Sequence, residues 1–221
     1  MRFPWSREQN STGLFGRPTP DPTPGAGQKC PGLAKVLEKV LRVDKPDILD
    51  LGPFCGATAV FLADRGARVS VEEFEPPAER VVSDAGSPDE ADEPPPPLRI
   101  DQPDGKFHLV LVWELCDFVP TDRLAEFGAE LHRVLVEGGW TLLLSSSDPP
   151  TEGHASRHPP RYRVVGDDSV VREDSRGASH KRYRRNPRDI EQALSPLSVQ
   201  GIHLQRNQLR EFLLVKRAGK A

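Results

Sequence analysis

The stretch Asp47-Ile48-Leu49-Asp50-Leu51-Gly52-Pro53-Phe54-Cys55-Gly56 limits this chain more than any other. An apolar run closes on an acidic residue. A turn with glycines four positions apart follows, and Ala57 to Arg65 then reads as a helix. Glycine accepts φ > 0 and lets a ligand come close to the backbone, so the two glycines have a physical use at such a turn. The helix start behind them leaves N–H groups free for polar parts of a ligand. Strand, glycine turn and helix in this order make the nucleotide-binding corner of a doubly wound α/β sheet.

The rest of the chain alternates in the way such a sheet requires. Gly32 to Val43 carries Leu33, Val36, Leu37, Val40 and Leu41 at helical spacing, and Pro46 ends that helix. Asp47 to Leu51 is the first strand. Gly66 closes the helix that follows the glycine turn, and Ala67 to Glu72 is the second strand. A short helix is expected over Pro76 to Ala85, an acidic and proline-rich loop over Ser87 to Pro97, and a short third strand over Leu98 to Asp101. Phe107 to Trp113 is an almost continuous apolar run, the pattern of a strand buried on both faces. Thr121 to Val136 reads as an amphipathic helix ended by Gly138-Gly139, with a fifth strand at Trp140 to Leu144. Arg161 to Val165 and Ser169 to Glu173 flank Gly166-Asp167-Asp168, a hairpin signal. A helix opening on Pro187 and strands at Val199 to Leu204 and Leu209 to Lys216 close the chain. The expected fold is α/β: a doubly wound, mostly parallel, seven-stranded Rossmann-like sheet whose last strand returns antiparallel through a C-terminal hairpin.

Residues 1–31 are rich in Pro, Gly, Ser and Thr and read as an irregular arm; residues 32–221 form the domain, with 149–188 inserted before the last helix. The formal net charge of −3 argues against a general polyanion binder, but the charge is uneven. Acidic residues crowd between Glu72 and Glu93, and Lys and Arg outnumber Asp and Glu between His154 and Arg188. The three cysteines, Cys30, Cys55 and Cys116, lie far apart and suit a reduced, cytoplasmic protein without a metal site. No signal-peptide pattern opens the sequence, and no apolar run approaches the ~20 residues of a membrane helix.

With these elements in place, the sequence resembles the class I S-adenosylmethionine (SAM)-dependent methyltransferases over roughly Gly32 to Ser147, and the closing hairpin fits as well. Asp50-Leu51-Gly52-Pro53-Phe54-Cys55-Gly56 is similar to the family's acidic G-x-G-x-G motif. Glu73 resembles the acid that binds the ribose hydroxyls. Asp101 resembles the acid that meets the adenine amino group. Phe107 to Pro120 is similar to the fourth strand and its loop, and Leu131 to Gly139 to the helix end before the fifth strand. The resemblance implies SAM as cofactor, with Asp50, Gly52, Phe54, Gly56, Glu73, Asp101 and Trp113 around it. Two positions depart from the pattern: Phe54 replaces the middle glycine, and His108 stands where an aspartate often follows the phenylalanine. A carboxylate can accept from both hydroxyls of a diol, and an acidic cleft suits a cationic ligand. A dinucleotide-binding dehydrogenase fits less well, because Gly52, Phe54 and Ala57 fill the three G-x-G-x-x-G places.

The resemblance also implies a methyl-acceptor side just past the fourth strand, where Glu114 or Asp117 is positioned to act as a base. The insertion is expected to cover the acceptor as a lid. Within it, Lys181, Arg182 and Arg185 with Tyr162 and Tyr183 suit an anionic acceptor. The same basic run suits RNA, and a solvated charged surface explains it equally well. A methyltransferase-like binding module without catalysis is the other reading. Acceptor and oligomeric state are not legible in the sequence.

Overall fold

The computed structural model describes residues 27–77, 96–147, 156–176, 180–205 and 207–218. The arm before Gly27 lies outside them, as do all but the first residues of the expected Pro76 to Ala85 helix and most of the acidic loop.

The central sheet is built from β2 (Asp47–Leu51), β3 (Arg68–Glu72), β4 (Phe107–Trp113), β5 (Leu135–Ser146), β10 (Ser198–Leu204) and β11 (Leu209–Val215). Their spatial order is β10-β11-β5-β4-β2-β3. β2 pairs in parallel with both β3 and β4, and β4 pairs in parallel with β5. β11 runs antiparallel to β5, and β10 antiparallel to β11, so the closing hairpin forms as expected. The chain lays down β2 and then β3 on one side, and returns to place β4 on the other side of β2. The switch point therefore lies between β2 and β4, where open α/β sheets bind ligands beyond the strands' carboxyl ends.

Among the described residues, four α-helices cover the sheet: α1 (Pro31–Val40), α2 (Gly56–Ala63), α3 (Leu124–Val134) and α4 (Pro187–Ala193). Alternate residues of β4 enter opposite cores. Leu109, Leu111 and Trp113 join α1 and Leu62 of α2, while Val110 and Val112 join α3 and α4. Asn186 caps α4 by accepting from the Asp189 N–H at 3.0 Å, with Pro187 in the first turn. Gly66 follows α2 at φ +85, the left-handed stop that its position suggested.

The sheet has six strands, not seven, because Leu98 to Asp101 forms no ladder. The segment is still held in place: Leu98 and Ile100 are buried against Phe74 and Phe127. Its backbone groups bond to side chains instead of a strand. The Leu98 N–H donates to Glu126, that of Ile100 to Glu130, and that of Asp101 to Glu72. Arg133 returns donors to the carbonyls of Ile100 and Gln102 at 2.7 and 2.8 Å. With side chains of α3 meeting these groups, the polar backbone is satisfied without pairing.

A second correction concerns the fifth strand. The α-helix stops at Val134 and extended chain begins at Leu135, ahead of the glycine pair expected to end the helix. Gly138 takes φ +76, and a Cβ on Gly139 would meet the carbonyl oxygens of Phe107 and Val136 at 2.9 Å, so the pair shapes a bend inside β5.

Two small sheets stand outside the main one. β1 (Gln28–Lys29), at the end of the sequence-defined arm, pairs with β8 (Ser169–Glu173), which forms the expected hairpin with β7 (Arg161–Gly166). β6 (Ser156–Arg157) pairs with β9 (His180–Lys181). The hairpin packs on the α1 and α2 side, where the Thr58 hydroxyl donates to the Tyr162 carbonyl and accepts from the Val164 N–H.

Gly128 tests the packing of α3 against α4. A Cβ there would lie 2.5 Å from the Ala193 carbonyl oxygen and 3.1 Å from the Leu194 Cα. Gly→Ala inside a helix ordinarily gains about 1 kcal/mol from propensity. Here backbone stands in the way, and overpacking of this kind costs about 1–3 kcal/mol. Gly128→Ala is expected to lower the urea midpoint, and an unchanged or higher midpoint would show that the helices separate freely.

Candidate active site at the carboxyl edge of the sheet

Parallel pairing brings Gly52, Glu72, Glu73, Trp113 and Glu114 to one edge, because each ends or follows a parallel strand. Ser145 and Ser146 reach the same edge at the end of β5.

On the nucleotide side, Gly52 adopts φ +149, and a Cβ there would touch the Trp113 ring at 3.4 Å. Its N–H donates to the Glu72 carbonyl, and the Phe54 N–H donates to the Glu73 carboxylate at 3.1 Å. The glycine turn is thus tied to the end of β3. The Phe54 ring, 53% exposed, turns outward over the start of α2 and stands 3.5 Å from a Cβ built on Gly56. The ring therefore stands beside the second glycine of the turn. Glu73 and Asp101 are both exposed. Glu72 is half-buried. One of its oxygens accepts from the Asp101 N–H at 2.9 Å, and the other is buried with no hydrogen-bond partner. His108 accepts the Asp47 N–H at 3.1 Å and anchors the opening of β2.

Two hollows open beside Glu73. One, of about 380 Å³, lies between Glu72–Glu75 and the Pro96–Arg99 segment, with Arg99 and Arg123 at its rim. The other, of about 200 Å³, has Pro53, Glu73, Phe74, Glu75 and Pro76 on one wall and His158, Pro159, Ser175, Arg176 and His180 on the other.

At the switch point itself the chain fills its own space. Asp50 is buried and accepts from the Trp113 indole N–H at 2.5 Å. Burial pushes its carboxyl up to about 6, against the lowering pull of that hydrogen bond. Trp113 stacks on Tyr162, with ring centroids 5.0 Å apart and planes 15° from parallel.

Glu114 adopts φ 53, uncommon for a residue with a side chain, and is buried. Its carboxylate accepts from the Tyr162 hydroxyl at 2.5 Å and from Arg172 Nε at 2.7 Å. Asp117 is fully buried and accepts from the Ser145 hydroxyl at 2.7 Å and the Ser146 N–H at 2.8 Å. Burial, followed by the neighbouring Glu114 charge, pushes its carboxyl up to about 6. Arg182 stands 3.7 Å from Glu114 and 3.6 Å from Asp117, with one Nη lacking a hydrogen-bond partner. Burial, then the Glu114 charge, pushes the Tyr162 phenol well up, so it remains a donor.

The insertion therefore seals the edge past β4. Tyr162 and Arg182 bind the carboxylates there. Arg185, also buried, donates to the Cys116 carbonyl at 3.1 Å and the Thr121 hydroxyl at 2.8 Å, and also to the Val119 carbonyl. The Tyr183 N–H donates to the Asp117 carbonyl, and its ring lies under Lys181 and Arg185. Of the expected acceptor residues, Lys181 is exposed. Sequence reasoning missed Arg172, Ser145, Ser146, Ser175 and Arg176. The β6–β9 pairing also brings His158 and His180 to one hollow, a long-range contact with no spacing signature.

No family model matches the sequence, and no curated protein matches it. Solved structures do resemble it. A Burkholderia thailandensis 1,6-didemethyltoxoflavin-N1-methyltransferase, with bound 1,6-didemethyltoxoflavin and S-adenosylhomocysteine, is 14% identical; the match covers 85% of this chain and 77% of that one, with a TM-score of 0.50. A Pyrococcus horikoshii OT3 protein is also 14% identical, covering 85% of this chain and 89% of that one at a TM-score of 0.51. The likeness is one of fold: a Rossmann-like α/β fold consistent with that of SAM-dependent methyltransferases.

Two measurements probe the edge. Asp50 holds a proton in the folded state at pH values where the unfolded chain has released it, between about 4 and about 6. Its contribution to stability is therefore full at low pH and lost as pH rises through that window. Asp50→Asn can still accept from Trp113. Its stability relative to the parent is expected to improve by roughly 2–3 kcal/mol between about pH 4 and pH 7, read from urea curves; a flat difference would contradict the buried carboxyl. Tyr162→Phe removes a donor to a buried carboxylate and is expected to cost about 1.5–3 kcal/mol.

Proposed function

We propose that this chain is a SAM-dependent methyltransferase of the cytoplasm. The observation that carries this reading is the union of the glycine turn with Glu73 through the Phe54 N–H, in a fold shared with a methyltransferase that binds S-adenosylhomocysteine.

The nucleoside half of the cofactor fits the residues present. Glu73 offers an exposed carboxylate for a ribose diol, and the unpartnered Glu72 oxygen offers a second acceptor beside it. Gly52 and Gly56 add no side chain of their own to the turn and the start of α2, although the Trp113 and Phe54 rings stand 3.4 and 3.5 Å from a Cβ built on them. Asp50 supplies negative charge, though it reaches a ligand ammonium only after the Trp113 indole withdraws. When bound, SAM supplies a methyl group already activated by its sulfonium. The chain then has to orient the acceptor and exclude water. Tyr162, Arg172 and Glu114 exclude water from the edge past β4. Asp117, with its raised carboxyl, is the candidate proton holder.

One observation favours a second reading, a binding module of this fold without methyl transfer. Both candidate bases are buried and already hydrogen-bonded to the chain, and the basic residues expected to hold an acceptor are largely used the same way. RNA binding through the basic segment is a weaker alternative, since Arg182 and Arg185 face inward.

Titration calorimetry with S-adenosylhomocysteine separates these readings from a fold that has lost its ligand. Binding by the parent chain, weakened about tenfold or more by Glu73→Ala, is expected from the loss of a charged hydrogen-bond acceptor. Absence of binding at high micromolar concentration removes the methyltransferase reading. Binding without turnover of any acceptor in a methyl-transfer assay favours the binding module.

A further inference from the structure

The hollow between the exit of β3 and the insertion has two chemically opposite walls. Glu73 and Glu75 stand on one, and His158, Ser175, Arg176 and His180 on the other. We infer that it binds a phosphorylated ribose, with hydroxyls on the glutamates and the phosphate on Arg176 and His180.

Three observations carry this. The first is the use of the insertion's arginines. Arg161 and Arg163 bond to Glu173, Arg172 to Glu114, Arg182 pairs with Glu114 and Asp117, and Arg185 caps carbonyls. Among the described residues Arg176, Arg184 and Arg188 of the insertion form no ion pair, and of these three Arg176 lines the hollow, together with His158 and His180. A guanidinium presents a planar fork that matches phosphate oxygens, and imidazoles add further donors.

The second is the opposite wall. Two carboxylates beside the cations disfavour a bare anion by repulsion. They favour a ligand that brings hydroxyl donors on one side and negative charge on the other. A sulfonium cation beside Arg176 meets the converse repulsion, so this hollow suits a phosphate better than the charged end of SAM. The third is size. At about 200 Å³ the hollow is below the ~300–1000 Å³ of sites for drug-sized ligands, and it suits a ribose phosphate with its base directed outward.

Because Glu73 also belongs to the proposed cofactor site, such a ligand competes with SAM; its own binding stands whether or not methyl transfer occurs. Calorimetry with adenosine 5′-monophosphate (AMP), ribose 5-phosphate, adenosine and inorganic phosphate tests it, with Arg176→Gln, Arg176→Lys and the distant surface variant Arg188→Gln. AMP and ribose 5-phosphate are expected to bind at least tenfold more tightly than adenosine. Arg176→Gln is expected to erase that advantage, Arg176→Lys to retain part of it, and Arg188→Gln to leave it unchanged. Thermal midpoints of the variants confirm folding. Equal affinity for AMP and adenosine, or full AMP binding by Arg176→Gln, overturns the inference; so does phosphate alone binding as well as AMP. S-adenosylhomocysteine titrated into the same proteins reports separately on the methyltransferase reading, and AMP binding without it leaves this inference standing.

Discussion

A charged carboxylate with almost no solvent contact must find donors inside the protein, and Glu114 sets that condition at the centre of this molecule. Its partners come from the inserted hairpin: the Tyr162 hydroxyl from β7 and the Arg172 guanidinium from β8. Those two bonds join the insertion to the end of β4. The Trp113–Tyr162 stack lies beside them, and the Trp113 indole in turn holds Asp50 of β2. The switch point of the sheet is therefore closed by a continuous set of contacts from Asp50 through Trp113 and Tyr162 to Glu114 and Arg172. The left-handed backbone at Glu114 belongs to the same arrangement, since a strained conformation persists only where its surroundings fix it.

This closure divides the carboxyl edge into two regions of different character. Past β4 and β5, polar groups are buried, paired and close to charge balance, with Glu114 and Asp117 facing Arg172 and Arg182. Past β2 and β3, carboxylates remain exposed or incompletely bonded, and two hollows open beside them. The hollows beside Glu73 lie in the second region. In the first, the bonds of Tyr162 and Arg172 to Glu114 hold the β7–β8 hairpin against the edge.

The missing strand illustrates the same rule of satisfied polar groups on a smaller scale. Leu98 and Ile100 have the apolar character of strand residues and are buried as such, yet their N–H groups bond to Glu126 and Glu130. Arg133, one turn further along α3, takes the carbonyls. Side chains spaced along a helix thus replace a ladder, and β3 is left as the sheet's edge.

The local patterns were enough for the architecture. The apolar run of β4, the glycine turn after β2, the Gly-Asp-Asp hairpin and the Pro-started α4 each depend on neighbours in sequence, and each formed within a residue or two of its expected limits. Alternation of strands and helices followed by a hairpin was likewise enough for a parallel sheet with an antiparallel end. Tertiary structure alone decided how the polar residues pair. Nothing near Glu114 in sequence announces Tyr162 or Arg172, and nothing near His158 announces His180, because those pairings depend on how separate segments meet on the sheet edge. Hydrophobic periodicity is read along the chain, whereas the fate of a buried charge is settled by whichever donors the folded chain brings within hydrogen-bond distance.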